Sequence, residues 1–407
     1  MKKAGGCDSS IMVHTPLGLW QSSIAADMMT GSTRQVLETA MKNVRWLALL
    51  AVVALLGCGP KPPVRIGFIG GLSDRGADVG EGGRNGLILA AEQRNQEGGI
   101  NGRKVELVVQ DDGQSKDKAV AGLKALMADK VDAVVGPFTS VIASAIVPVA
   151  TEAKVLLISP TVTGADFVGK DDYFYRINNS VFDNARGYAK AMLARGQRKV
   201  AVAYDTRNLA FSATWLKAYR EAFMELGGQS VTDVPFESQA DTAFSDVIRS
   251  LVKAKPDALM FVATAVDTAR LAQQAVKLAP GIAMATSEWA STETLLELGG
   301  QSVEGMLVAQ TYNRDDTSAR FTRFRDAYQQ RFGKLPGYSA VNGYEAATVL
   351  LQAISRQTGN ESVKEALGKY GPYEGLQQQL VFDQFGDTKR NVYFTEIQAG
   401  KFVLLKP

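Results

Sequence analysis

From residue 64 onward, short β-rich apolar runs alternate with amphipathic segments, and this rhythm leaves few folds open to the chain. Residues 64–69, 105–109, 131–135 and 155–158 read as strands. Residues 86–95, 115–128 and 140–152 read as the intervening helices, the last bent near Pro148. The rhythm then restarts, with strands at 200–204, 258–262 and 306–308. The helix at 319–332 places Phe321, Phe324, Tyr328 and Phe332 on one core-facing stripe and stops at Gly333. A helix at 344–354 precedes a β-rich tail, 379–382 and 392–397. Strands this short and apolar belong to parallel sheets covered on both faces, so the pattern predicts an α/β protein with two Rossmann-like lobes.

Composition narrows the function. At 407 residues the chain has room for two or three domains. Its 45 basic and 42 acidic residues leave a formal charge of +3, which is no footprint for nucleic acid. It carries one histidine, His14, and two cysteines, Cys7 and Cys58. So small a supply argues against a histidine triad, a zinc site or a disulfide scaffold.

Residues 46–56 form an eleven-residue apolar run, too short for the about 20 residues of a membrane-spanning helix. With Lys42 and Arg45 before it and Gly57 after it, the run has the layout of a secretory signal. The string Leu55-Leu56-Gly57-Cys58 resembles a bacterial lipobox, which makes Cys58 the acylated first residue of the mature protein. Met41 reads as the natural start, so residues 1–40 are taken as an upstream extension, 41–57 as the signal and 58–63 as lipidated cysteine and tether. His14 and Cys7 then fall outside the mature chain, which keeps neither a histidine nor a free thiol.

Several stretches together resemble the type I periplasmic binding proteins, in particular the branched-chain amino-acid (Leu/Ile/Val) receptors of ABC importers. They are residues 98–107 with Asp111-Asp112, then Val135-Gly136-Pro137, Ile158-Ser159-Pro160, Val381-Phe382-Asp383 and Gly386-Asp387. The resemblance implies two lobes joined by a three-crossover hinge, with ligand held in the cleft between them. Carried onto this chain, lobe one is 64–178 plus 313–356 and lobe two is 179–312 plus 357–407.

A free amino acid is a zwitterion and needs an anion site, a cation partner and a side-chain pocket. Residues 136–140 join a strand to a helix start, where N–H groups and the helix dipole favour a carboxylate, although Ser140 would serve equally as a helix cap. The resemblance assigns Ser140 to the ligand carboxylate. It also assigns the Thr161 carbonyl to the ammonium, and the amide and hydroxyl of Thr163 to the ligand; by themselves threonines after a strand are common turn formers. Glu288 matches the family's acidic partner for the ammonium. The side-chain pocket departs from the family: by the resemblance Val79 stands where an aromatic is usual, Phe211 where tyrosine is usual, and Thr161 where alanine is common. Gln114 and Thr139 occupy the positions of a cysteine pair found in some members. Phe138, Phe211, Trp289 and Tyr338 are candidate walls, with core packing as the alternative.

No G-x-G-x-x-G or G-x-x-x-x-G-K-[ST] string follows a strand, which argues against a nucleotide-dependent enzyme. The expectation is a monomeric, non-enzymatic lipoprotein without metal or cofactor, lipid-anchored in the bacterial cell envelope on a periplasmic or extracellular face. Its partners would be an amino acid, an ABC permease and the membrane that holds its lipid. The alternatives are a sensor or cell-wall enzyme activator on the same fold, or a ligand such as an amide.

Overall fold

The computed structural model describes residues 35, 36, 38–42, 44 and 61–405. The expected signal run, Cys58 and most of the upstream extension lie outside the described residues. Among the described residues, no helix is long and apolar enough to cross a membrane. Residues 62–407 form one compact unit.

That unit opens with β1 (Val64–Gly70), α1 (Ala77–Gln96), β2 (Val105–Asp111), α2 (Lys116–Ala128), β3 (Ala133–Val135), α3 (Ser140–Glu152), β4 (Leu157–Ser159) and β5 (Phe174–Arg176). These strands make one all-parallel sheet in the order β2-β1-β3-β4-β5. The second lobe runs β6 (Lys199–Asp205), α5 (Leu209–Glu225), β7 (Gln229–Phe236), β8 (Ala258–Val262) and β9 (Ala283–Thr286) to β10 (Leu307–Gln310), after an α4 (Val181–Ala194) that packs on the same sheet. Two further strands, β11 (Tyr393–Gln398) and β12 (Lys401–Leu404), extend that sheet antiparallel to seven strands. Both sheets are covered on two faces, which is why their central strands read as unbroken apolar runs.

The first helix differs from expectation. It starts at Ala77 rather than at residue 86, so the glycine-rich stretch is helix rather than loop. Glycine costs a helix about 1 kcal/mol per residue relative to alanine, and close packing offsets that cost. A Cβ on Gly83 would lie 2.0 Å from the Phe138 ring, and one on Gly86 only 2.3 Å from the Ala340 carbonyl oxygen. The facing helix Tyr338–Arg356 reciprocates at Gly343, where a Cβ would meet the Gly83 carbonyl at 2.5 Å. Two backbones therefore approach where side chains would hold them apart. That helix begins six residues before the expected 344 for the same reason.

The tail also differs. Assigning 357–407 wholly to lobe two is corrected by the packing of Ala366, Leu367, Tyr373, Leu376 and Leu380 into the first lobe's core. Tyr373 donates its hydroxyl hydrogen to the Ala366 and Leu367 carbonyls, and the Leu376 N–H donates to Glu345 at 2.7 Å. These residues cover an apolar face of the helix Tyr338–Arg356 that lobe one would otherwise expose. Only the strands at 393–404 return to lobe two.

The chain passes between the sheets three times, and a buried polar junction ties the passages together. Asn179 on the first donates to the Arg390 carbonyl on the third at 2.9 Å, and Arg390 N–H returns a bond to Asn179 Oδ1. Thr311 on the second donates to Asn342 Oδ1 at 3.3 Å, and Asn342 donates to the Pro160 carbonyl at 3.1 Å. Arg390 Nη1 lies 2.6 Å from Glu345 Oε2, with both side chains almost wholly buried. Removing one member of such a pair leaves a buried charge uncompensated. Glu345→Ala is expected to lower the unfolding free energy by about 3–5 kcal/mol in urea titrations; a loss below about 1 kcal/mol would show that the pair adds little.

Candidate functional site

The site forms where the carboxyl ends of both sheets face each other, the place open α/β sheets reserve for ligands. After β3, Gly136 takes φ 127°, a left-handed value, and a Cβ there would strike the Ile69 carbonyl oxygen at 2.1 Å. This turn delivers Phe138, Thr139 and Ser140. Ser140 is the first residue of α3 rather than its cap; Thr139 holds the cap position and makes no side-chain cap bond. Ser140 is buried, and its hydroxyl engages no partner among the described residues.

The loop after β4 is fastened to that turn. Ser159 Oγ donates to the Pro137 carbonyl at 2.7 Å and accepts Val162 N–H at 3.0 Å, and Thr161 Oγ1 donates to the Phe138 carbonyl at 2.7 Å. The Thr161 hydroxyl is thus spent on structure, while its carbonyl takes no hydrogen bond among the described residues. Thr163 is 2% exposed, and its hydroxyl has no partner among the described residues. An unsatisfied buried hydroxyl costs about 1–3 kcal/mol, so its presence marks a place for another polar group.

From lobe two, a short turn after β9, Glu288–Ala290, presents Glu288. Its carboxylate accepts from Asn184 Nδ2 at 2.9 Å and Trp215 Nε1 at 3.1 Å, and it makes no ion pair among the described residues. Burial pushes its pKa above the ordinary 4.5, outweighing the bonds that favour the ionised form. Phe138, Ser140, Thr161, Thr163, Phe211 and Glu288 line one small cavity of about 20 Å³, with Trp289 and Tyr338. Phe211 packs edge-on against Trp289 at 5.6 Å. Val79 lies elsewhere, in the first turn of α1. It lines an adjoining chamber of about 330 Å³ that shares Phe138, Thr139, Asn208 and Trp289 with the small cavity.

The cleft is closed by direct bonds between lobes. Thr292 donates to Asp78 Oδ2 at 2.6 Å, and Arg75 reaches both Asp267 and Ser238 at 3.2 Å. Asn208 Oδ1 accepts the Val141 N–H at 3.0 Å. This last bond alters the expected anion site: one first-turn N–H of α3 is already taken, because closure brings a carbonyl to a donor that lacks an intrahelical partner. The free donors are then the Ser140 hydroxyl and Thr163. Asn208, Asp74 and Arg207 were missed in the sequence; the only signal was their position in polar loops after the first strand of each lobe. Gln114 and Thr139, at the cysteine-pair positions, are joined instead by a 3.0 Å hydrogen bond.

A family model described as periplasmic binding protein matches residues 63–401. The chain belongs to that family. It is a type I member of the branched-chain amino-acid receptor kind. A Leu/Ile/Val-binding protein homolog from Brucella melitensis is 25% identical over 85% of this chain and 94% of its own length. A leucine-, isoleucine-, valine-, threonine- and alanine-binding protein from Pseudomonas aeruginosa is 26% identical, covering 83% and 90%. Among solved structures, a leucine-binding protein from Thermotoga maritima superposes with TM-score 0.77 at 26% identity, over 84% of this chain and 98% of its own. The same fold recurs at TM-score 0.75 and 20% identity in an ABC-transporter solute-binding protein from R. palustris crystallised with benzoate, over 84% of this chain and 95% of its own.

A carboxyl whose folded pKa is raised keeps its proton in the folded state over a pH range where the unfolded chain has lost it. Stability therefore falls as pH rises from the ordinary value to the raised one. Glu288→Gln removes this contribution, so the variant's thermal midpoint should gain on the parent's as pH rises above 4.5 without ligand. A midpoint difference that stays flat with pH would mean that Glu288 titrates normally.

Proposed function

We propose that this protein captures an α-amino acid, branched-chain or related, between its lobes and delivers it to an ABC permease. In this reading Cys58 anchors a monomer by lipid at the cell envelope, on the periplasmic or extracellular face. The observation that carries the binding reading is the pairing across the cleft. One lobe offers the unpartnered Ser140 and Thr163 hydroxyls; the other offers Glu288, a buried carboxylate without a cation. Taking an ion out of water is costly unless an opposite charge accompanies it. A ligand ammonium supplies that charge, and the Thr161 carbonyl adds an acceptor beside it.

The ligand carboxylate, in turn, receives the hydroxyl and amide donors of the first lobe. Because the two halves of the zwitterion are held by different lobes, the ligand binds the closed form better than the open one and drives closure by that difference. The cavity of about 20 Å³ between these groups is smaller than an amino-acid head group, so ligand entry requires a slight opening of the cleft. Two of the relatives named above, from Pseudomonas aeruginosa and Thermotoga maritima, are amino-acid-binding proteins by their descriptions, and they support the same assignment.

Thermal unfolding of the full chain against a panel of amino acids and of acids lacking an ammonium tests this directly. An amino acid at 100 times its Kd should add about 2.7 kcal/mol of stability. Glu288→Ala should abolish that gain while the protein stays folded by circular dichroism. A panel in which only ligands without an ammonium raise the midpoint would overturn the assignment.

A further inference from the structure

Beyond the clamp, the cleft continues into the chamber of about 330 Å³. By itself it reaches the lower end of complete small-molecule sites, about 300 Å³, more room than a branched aliphatic side chain needs. Its walls are also charged. Asp74 lines it with a carboxylate that accepts one bond, from Gly76 N–H at 2.9 Å, and makes no ion pair among the described residues. Arg207 lines it too. Its Nε and Nη2 reach Asp205 Oδ2 at 3.3 Å each and Nη2 lies 3.9 Å from Asp267 Oδ2, while Nη1 makes no hydrogen bond among the described residues. Asn208 gives its Oδ1 to Val141 N–H, and its Nδ2 makes no hydrogen bond among the described residues. The chamber thus holds one unused charged acceptor and two unused donors, and its acid and base are not paired with each other.

We propose that the ligand is an α-amino acid whose side chain ends in an uncharged dipolar group, a carboxamide or a urea. Its N–H groups donate to Asp74 and its carbonyl accepts from Arg207 or Asn208. This rests on the amino-acid reading above and adds the class of side chain. A cationic side chain would pair with Asp74 but bring no acceptor to the Arg207 Nη1 and Asn208 Nδ2 donors, and an anionic one would accept from those donors but bring a second negative charge to Asp74. An aliphatic side chain would displace water from both charged groups and replace none of its hydrogen bonds, a loss that falls on the site as well as the ligand. Only a group that donates and accepts without net charge meets the whole wall.

Isothermal titration calorimetry on the full chain separates these cases, using asparagine, glutamine and citrulline against leucine, isoleucine, lysine and glutamate. A hydrogen bond to a charged group makes the expected preference for the amide or urea ligands over leucine roughly 10- to 100-fold. Asp74→Ala should shrink that ratio by about tenfold; if the variant does not fold, the ranking on the parent protein decides alone. Tightest binding of leucine, isoleucine, lysine or glutamate overturns the side-chain assignment and leaves amino-acid capture standing. Absence of heat with every amino acid overturns both.

Discussion

The polar junction around Asn342 and Arg390 is the constraint on which the rest of the molecule depends. Neither lobe is a continuous stretch of chain: each finishes its layers with segments that have crossed from the other. Asn342 meets the second passage through Thr311, the third through Arg390, and the ligand loop through the Pro160 carbonyl. The first passage reaches the same cluster through Asn179. Buried polar groups persist only when satisfied, so these bonds fix where the three passages meet and let the lobes differ elsewhere. The ligand loop is anchored to the very point about which closure has to turn.

The site uses the opposite arrangement. There, polar groups are buried and left incomplete: the Thr163 hydroxyl has no partner among the described residues, and Glu288 faces only neutral donors. Such incompleteness is unfavourable, and a polar ligand that completed these bonds would offset it. Direct interlobe bonds such as Thr292 to Asp78 hold the cleft shut without relieving that deficit. Asp112, next in sequence to the chamber residues Gly113 and Gln114, is incomplete in the same way: burial raises its pKa from 3.8 to about 6, and its Oδ2 has no partner among the described residues.

Much of the fold was legible because strand and helix periodicity is local. The helices at 140–152 and 319–332 have the bounds read from the sequence, the second ending at Gly333 with φ 72°. The glycine-rich start of α1 was not legible, since glycine alone reads as loop and only a second backbone pressed against it makes helix the better choice. The division of the tail was hidden for a similar reason: residues 363–380 and 393–404 are both apolar enough to pack, and neither pattern names the lobe that needs covering. In the site, Ser140, Thr161, Thr163 and Glu288 were reached through the family resemblance of their loops, and the structure gathers them around one cavity. Val79 falls in the neighbouring chamber, because α1 begins early and turns it away from the clamp.

By itself, the sequence determined the α/β class, the two-lobed plan and the absence of histidine from residue 15 onward, all properties of pattern and composition along the chain. Tertiary structure alone decided which hydroxyl is spent and which is free: Thr161 Oγ1 bonds the Phe138 carbonyl, while Thr163, two residues on, bonds nothing through its own. It also decided that Asn208 caps α3 from the other lobe and that Asp74 and Arg207 share one chamber without an ion pair to each other among the described residues. The physical reason is common to all of these. Hydrogen-bond satisfaction depends on groups 20 to 200 residues apart arriving within 3.5 Å, and no local pattern records that arrival.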